Sequence, residues 1–253
     1  MQNVLNALRA LEEIAARQPV GVADLARAME LPKSTAQRTL TTLRTAGWIR
    51  PAAGTPTRWV LTTKALLVGR RAAGELGLRD VAVPVMEELR RRTDETVHLA
   101  VPEGERIILI ERLETSQPVR IILPLGQNLP AHASANGKAV LAARADDAVQ
   151  RYLAAGLSGY TGTTITEPAR LRAEIERIRR QGYATNGGEW RADVSAVAAA
   201  VRNDAGVPVA SISVNVPTSR MAEVSEEALG ALVIAAAKEV EAALGQLPGG
   251  HRG

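Results

Sequence analysis

Val4, Leu5, Leu8, Leu11, Ile14 and Ala15 recur at the three- and four-residue spacing of one helix face, which predicts an amphipathic helix over residues 1–16 that ends before Pro19. Val22, Leu25, Ala26 and Met29 form the stripe of a second helix, and Leu31 with Pro32 breaks it, because proline cannot continue a helix. A third helix starts at Lys33 or Ser34. With Ser34 as its N-cap, Ala36, Leu40 and Leu43 fall on one buried face, opposite Thr35, Gln37, Arg38, Thr41 and Thr42. Gly47 stops it, and residues 48–50 and 58–61 then read as two strands around the turn-rich stretch 51–56. Three short helices followed by a hairpin predict a winged helix-turn-helix over residues 1–62.

Residues 63–76 return to the helical period, with Ala65, Leu66, Val68 and Gly69 available for packing, and predict a linker helix within residues 63–77. A further helix is expected over 79–92. The period then changes to two over 96–101, 106–112 and 119–123, which predicts sheet strands joined by hairpins. Helices over 135–143, 146–155 and 168–181, strands over 194–202 and 207–216, and a long alanine-rich helix over about 225–244 complete the pattern. Mixed but hairpin-connected elements of this kind belong to the α+β class. They predict a second domain over 78–247, an antiparallel sheet flanked by helices, with a disordered tail over 248–253.

A length of 253 residues suits one small and one medium domain. No apolar run reaches the roughly 18 residues of a membrane span. Arg9, Glu12, Glu13 and Arg17 make the start unlike a signal peptide, so the expectation is a cytoplasmic chain with no membrane partner. The absence of cysteine excludes disulfides, zinc ribbons, iron-sulfur clusters and thiol nucleophiles, and three scattered histidines argue against a metal site. No closely spaced Ser-His-Asp set or phosphate-binding glycine loop is present, and Gly187 with Gly188 lacks the strand-to-helix context of such a loop. The expectation is a protein that is not an enzyme and uses no cofactor.

A formal charge of +4 hides its distribution. No acidic residue stands between Glu30 and Glu75, whereas Lys33, Arg38, Arg44, Arg50, Arg58, Lys64, Arg70 and Arg71 do. That is the electrostatic footprint of a phosphate-contacting surface. Lys33, Ser34, Thr35, Gln37, Arg38, Thr41, Thr42, Arg44 and Arg58 are therefore the candidate contacts to double-stranded operator DNA, through phosphates and base edges of a major groove. A solvated basic face, or a small helical domain that binds protein, is the alternative reading.

Several motifs then occur in one order. Residues 31–40 are followed by Leu43 and Gly47, residues 58–61 close the hairpin, and His132, Ala133, Ser134, Ala135, Asn136, Gly137, Lys138 and Ala139 form the most specific segment. Gly182, Tyr183 and Glu189, then Val216, Pro217, Arg220 and Met221, complete the series. Together they resemble the IclR family of bacterial transcription regulators over nearly the full length. The resemblance implies a GAF-like effector domain, a homodimer or homotetramer, small metabolites, often organic acids, as ligands, and no catalysis. Carried across by position, the family pocket would fall on Ile121, Leu129, Ala135, Asn136, Asn186, Val194, Ala196, Ser213 and Asn215. Some members place an acid where Asn186 stands and a cysteine where Ala196 stands, so their ligand preference does not transfer.

Residue chemistry adds a partial, separate argument. Residues 203–206 are a turn signal, and if Arg202 faces Val207, the same register pairs Ala196 with Ser213 and Val194 with Asn215, all on one face. A solvated sheet face is the alternative reading of Ser213 and Asn215. Ser134 can cap a helix from Ala135, leaving backbone N–H groups to meet a carboxylate, or it can be an ordinary cap. His132 reads as a packed histidine or a ligand contact. Apolar faces on the first helix and the linker also call for a partner copy. The rivals are an enzyme or redox sensor on a GAF-like domain, and a DNA-binding protein whose second domain only dimerises.

Overall fold

The first helix forms where its spacing requires. In the computed structural model, which describes residues 2–72 and 76–246, α1 (Gln2–Arg17) buries Ala10 and Ile14 and leaves Val4, Leu5 and Leu8 exposed. A short β1 (Val20–Gly21) leads into α2 (Val22–Ala28), and α3 (Lys33–Thr45) follows. Ser34 is not the N-cap of α3. Pro32 holds that position at φ −56° and ψ 140°, and its carbonyl accepts from Thr35 N and Ala36 N, so Ser34 lies in the first turn. Proline's fixed φ and free carbonyl open the helix without a side-chain acceptor.

β2 (Ile49–Pro51) and β3 (Arg58–Leu61) form the hairpin, with Arg50 opposite Val60, and β1 joins the other edge of β3. Ile14, Leu25, Met29, Leu40, Leu43, Ile49 and Trp59 close one apolar core beneath this sheet. Burial of each such large side chain contributes about 1.5–3 kcal/mol. α4 (Thr63–Ala72) starts at once, and Lys64 ties it to the end of α3. Its Nζ donates to Ala46 O at 2.7 Å and lies 5.2 Å from the centre of the Trp48 ring.

The chain divides between Leu76 and Gly77 into two units. Residues 73–75 and 247–253 lie outside the described residues, and with them part of the expected linker helix and the whole expected tail. The second unit runs α5 (Leu76–Thr93), β4 (Thr96–Glu103), β5 (Arg106–Leu113), β6 (Asn128–Leu129), α6 (Ala135–Ala143), α7 (Asp146–Ala154) and α8 (Pro168–Gln181). β7 (Ala184–Gly187), β8 (Val194–Arg202), β9 (Pro208–Pro217), α9 (Thr218–Met221) and α10 (Glu226–Gly245) follow. The strands form one antiparallel sheet in the order β6-β5-β4-β9-β8-β7. This is the expected α+β arrangement of a winged helix and a helix-flanked antiparallel sheet.

Alternation sorts the sheet's side chains between two layers of helices. Val97, Leu99, Val197, Ile212 and Val214 pack with Met86 and Leu89 of α5 and Val233 and Val240 of α10. On the other face Ala100, Leu109, Ala184, Ala196 and Ala198 pack with Val140 and Leu141 of α6, Leu153 of α7 and Ile175 of α8. We call this the α6 face.

Two expectations change here. Residues 119–123 form no strand, because the edge of β5 is taken by the chain just after them: Leu109 N donates to Gln127 O at 3.0 Å and Gly126 N to Leu109 O at 2.7 Å. Pro118 and Pro124 bracket the stretch and withhold ladder donors. Its alternation still reports burial, with Ile121 and Leu123 inside and Ile122 exposed. The β8-β9 register also differs by two residues. Ala196 faces Asn215, Ala198 faces Ser213, Val194 faces Pro217 and Arg202 faces Pro208, with an irregularity at Val201/Arg202. The turn supplies one residue of the shift, since Asn203 N donates to Val207 O at 2.9 Å and the Asn203 side chain accepts from Ala205 N and Val207 N, so Asn203, not Arg202, closes the hairpin against Val207; the irregularity at Val201/Arg202 supplies the other. A slip of two keeps every side chain on its face.

Candidate functional site

The first candidate surface is built on α3. Ala36, Leu40 and Leu43 turn into the core, which leaves Lys33, Ser34, Gln37, Arg38, Thr41, Thr42 and Arg44 exposed and Thr35 half-buried. Thr41 and Thr42 donate their hydroxyls to Gln37 O and Arg38 O at 3.0 and 3.1 Å, so their outward oxygens remain acceptors. Lys33, Arg38 and Arg44 make no ion pair among the described residues. Arg58 on β3 is exposed and donates to Pro19 O at 3.1 Å, and Arg50 is exposed on β2. Helix and hairpin thus present cations that no neighbouring carboxylate cancels.

The second candidate surface is the α6 face of the sheet. Ser134 caps α6, accepting from Gly137 N at 3.1 Å, and neither Ala135 N nor Asn136 N has a partner among the described residues. Gly137 is required at this close approach, since a Cβ there would meet Ala131 Cα at 2.4 Å. Ile121, Leu129, Ala135, Asn136, Asn186, Val194, Ala196, Ser213 and Asn215 are all buried. Asn186, Ala196 and Asn215 stand side by side across β7, β8 and β9, with Ser213 two residues along from Asn215. Ile121 and Leu129 belong to the β5-β6 side, so, apart from Ala135 and Asn136 on α6, the set falls into two groups with β4 and β5 between them.

Several of these polar groups already serve the protein. Asn136 Nδ2 donates to Ser211 Oγ at 3.1 Å and fixes α6 on β9. Asn186 Oδ1 accepts from Glu189 N at 2.8 Å, and Asn215 Nδ2 donates to Ser213 Oγ at 2.9 Å. His132 is spent too, with Nδ1 2.7 Å from the Tyr152 hydroxyl and Nε2 2.8 Å from Ser158 O, so both ring nitrogens are engaged inside the fold. A cavity of about 340 Å³, bounded in part by Gly182, Arg202, Ile234, Lys238 and Glu241, includes none of the expected pocket residues.

Other groups on this side carry no role in the sequence reading. Lys138, 1% exposed, reaches Glu189 Oε1 at 2.6 Å and Glu174 Oε1 at 3.3 Å, and joins α6 to α8 and to the β7-β8 loop. Burial raises the Glu174 pKa, but hydrogen bonding from Arg177 and the charges of Lys138 and Arg177 outweigh it and hold the carboxyl below its ordinary value. His98 on β4 is buried on the α6 face between Ser213 of β9 and Arg112 of β5. Burial and then the Arg112 charge push its pKa down to about 3, so the imidazole is neutral. Period-two alternation along residues 96–101 places His98 with Thr96 and Ala100, and that signal could have marked it.

Comparison with known proteins follows this division. The model of the IclR helix-turn-helix domain matches residues 3–52, and that of the bacterial transcriptional regulator IclR C-terminal domain matches residues 70–242. The acetate operon repressor of Salmonella typhimurium is 32% identical over 249 residues, covering 97% of this chain and 90% of that protein. The crystal structure of the Thermotoga maritima IclR is similar at a TM-score of 0.83 and 27% identity, covering 97% of this chain and 100% of that one. An IclR homologue from Microbacterium hydrocarbonoxydans, complexed with 4-hydroxybenzoate, is similar at a TM-score of 0.82 and 26% identity, covering 95% and 98%.

Proposed function

The chain belongs to the IclR family of bacterial transcription regulators, which are not enzymes, and from that premise we propose how it reads its two ligands. α3 enters the major groove of operator DNA, with Gln37, Arg38, Thr41 and Thr42 toward the groove and Lys33, Arg44 and Arg58 toward phosphates. The observation that carries this reading is the exposed, uncompensated basic face of α3 and its hairpin. A chain that reads operator DNA works in the cytoplasm.

An organic acid on the α6 face shifts that affinity. The unpartnered N–H groups of Ala135 and Asn136 suit a carboxylate, and Asn186, Ser213 and Asn215 suit polar substituents. Val194, Ala196, Ile121 and Leu129 enclose the apolar part. The 4-hydroxybenzoate of the Microbacterium homologue supports an acid of this size.

The active species is a homodimer or homotetramer. Val4, Leu5 and Leu8 on α1, and Leu66, Leu67 and Val68 on α4, are exposed apolar groups that a second copy would cover. Titration of the chain's own upstream DNA by fluorescence anisotropy, with and without a panel of carboxylic acids, tests the function. Acid-dependent affinity is the expected result, and affinity for every acid equal to that without one overturns the effector half. Light scattering that gives a mass of 26.8 kDa for the free protein, and that mass plus one duplex for the complex, overturns the assembly.

A further inference from the structure

Buried polar atoms without partners are rare in native folds, because each forfeits its hydration for nothing in return. Among the described residues, four side-chain atoms are in that state, and three of them are His98 Nδ1, His98 Nε2 and Arg112 Nε. These three are neighbours: His98 and Arg112 are directly opposed across β4 and β5, so both side chains leave the sheet on the α6 face. His98 is 1% exposed.

The place of this pair matters as much as its lack of partners. Apart from Ala135 and Asn136 on α6, the expected pocket residues divide between β7-β8-β9 on one side and the Ile121 and Leu129 region on the other. β4 and β5 are the strands that join these halves, and His98 and Arg112, with Thr96, are their polar contributions to the floor. On one flank His98 faces Ser213, which faces Ala198, and one step along, Thr96 faces Asn215 and Asn215 faces Ala196. On the other flank Arg112 Nη1 donates to the carbonyl of Leu123, next but one to Ile121.

The free hydrogen-bonding capacity of the floor is concentrated here. Asn136 and Asn186 are committed to Ser211 and Glu189, and Ser213 Oγ accepts from Asn215. Charge favours an anion. Arg112 Nη2 meets Glu114 Oε1 at 2.7 Å and Arg120 Nε meets Glu114 Oε2 at 3.2 Å, so one carboxylate faces two guanidinium groups and a positive charge is left over.

We propose that His98 and Arg112 form the anion seat of the effector site, receiving a carboxylate of the ligand on Arg112 Nε–H and an imidazole N–H of His98. This rests on the reading of the α6 face as the effector site, and it moves the acid's charged end from the α6 N-terminus to the middle of the sheet. It also narrows the ligand class. The acid lies across β4 and β9 with its far end toward Asn215, so a polar group opposite the carboxylate is favoured over a plain alkyl chain. A carboxylate within reach of His98 opposes the desolvation that keeps the ring neutral, so binding draws a proton toward that imidazole.

The test uses the full chain and works with the effector still unidentified. Parent protein labelled with 15N at histidine is titrated with acetate, 4-hydroxybenzoate and a series of two- to six-carbon mono- and dicarboxylates. Each acid is run beside its amide, and the His98 ring signals are assigned from His98→Gln. Binding is measured in parallel by calorimetry on the parent and on Arg112→Gln. Expected are an acid that moves the His98 ring nitrogens while its amide does not, and at least tenfold weaker binding of that acid to Arg112→Gln. An acid that binds with the His98 signals unmoved and within twofold of parental affinity for Arg112→Gln overturns the seat and leaves the effector reading standing. The parent spectra decide the matter without any variant, should Arg112→Gln fold poorly. No binding by any acid overturns both.

Discussion

Lys138 Nζ lies 2.6 Å from Glu189 Oε1, with the two side chains only 1% and 10% exposed. Removing one member of such a pair strands the other charge in the interior, which typically costs about 3–5 kcal/mol, whereas replacing both with apolar groups of similar volume is far milder. Lys138→Met and Glu189→Leu are each expected to destabilise by that amount, and the two combined to recover much of it. Urea unfolding of the two single variants and the double gives the cycle. A cost below about 1 kcal/mol for Lys138→Met would show that water reaches the site and screens the pair.

His98 gives stability a defined pH dependence. Burial, then the Arg112 charge, lowers its pKa from 6.5 to about 3, so the folded chain leaves unprotonated an imidazole that the unfolded chain protonates. Fewer protons are bound in the folded state below pH 6.5. Stability is then fully present above that value and is lost as pH falls from 6.5 toward 3. Between pH 7 and pH 5 this amounts to roughly 2 kcal/mol. Urea melts at pH 5, 6 and 7 should show the loss in the parent and a shallower slope in His98→Gln; identical slopes would assign the loss to other groups.

The sequence is most legible where residues punctuate the chain. The helices over 135–143 and 168–181 have the bounds that their punctuation predicts, because Ser134 caps the first, Pro168 starts the second and Gly182 adopts φ +86° after it. Residues 119–123 mimic a strand because alternation reports which side chains are buried and not whether the backbone has a partner strand. The β8-β9 register departs from the expected one because Asn203 takes two backbone donors on its side chain and extends the turn by one residue, and the irregularity at Val201/Arg202 adds another, neither of which a count of residues reveals. Alternation can mark His98 as inward-facing, but what it meets is hidden for a topological reason. Its neighbour Ser213 is brought beside it only by the non-sequential pairing of β4 with β9, and adjacency of that kind has no period along a chain.

Arg38 tests the DNA-binding face. It is exposed, lies on the side of α3 opposite Leu40 and Leu43, and has no ion-pair partner among the described residues. A phosphate contact releases condensed counterions, so its removal weakens binding to all duplexes and lowers the slope of log affinity against log salt by about one. Electrophoretic titration of Arg38→Ala at several salt concentrations, on the operator and on an unrelated duplex, measures both. Unchanged affinity and slope would remove Arg38 from the interface. A loss confined to the operator would instead make it a reader of bases.

Ser213 and Asn215 test the effector site from the strand opposite His98. Asn215 Nδ2 donates to Ser213 Oγ at 2.9 Å and more weakly to Thr96 O at 3.4 Å, which leaves the Asn215 carbonyl oxygen as an acceptor on the α6 face. Asn215→Ala removes that acceptor, and Ser213→Ala frees the amide but removes a hydroxyl, so both weaken an acid that carries a donor at its far end. A hydrogen bond of this kind contributes about 0.5–1.5 kcal/mol, or roughly two- to tenfold in affinity. The ligand shifts DNA affinity only through unequal affinity for two states of the protein, so the coupling is reciprocal and on the order of 1–3 kcal/mol. Calorimetry of an acid that alters operator binding, run with and without operator, should return the same factor by which that acid changes DNA affinity. Both variants should bind it more weakly while keeping ligand-free operator affinity, because neither residue belongs to the DNA-contacting set. An acid that binds both variants as tightly as the parent would place the pocket elsewhere and leave the regulator assignment intact.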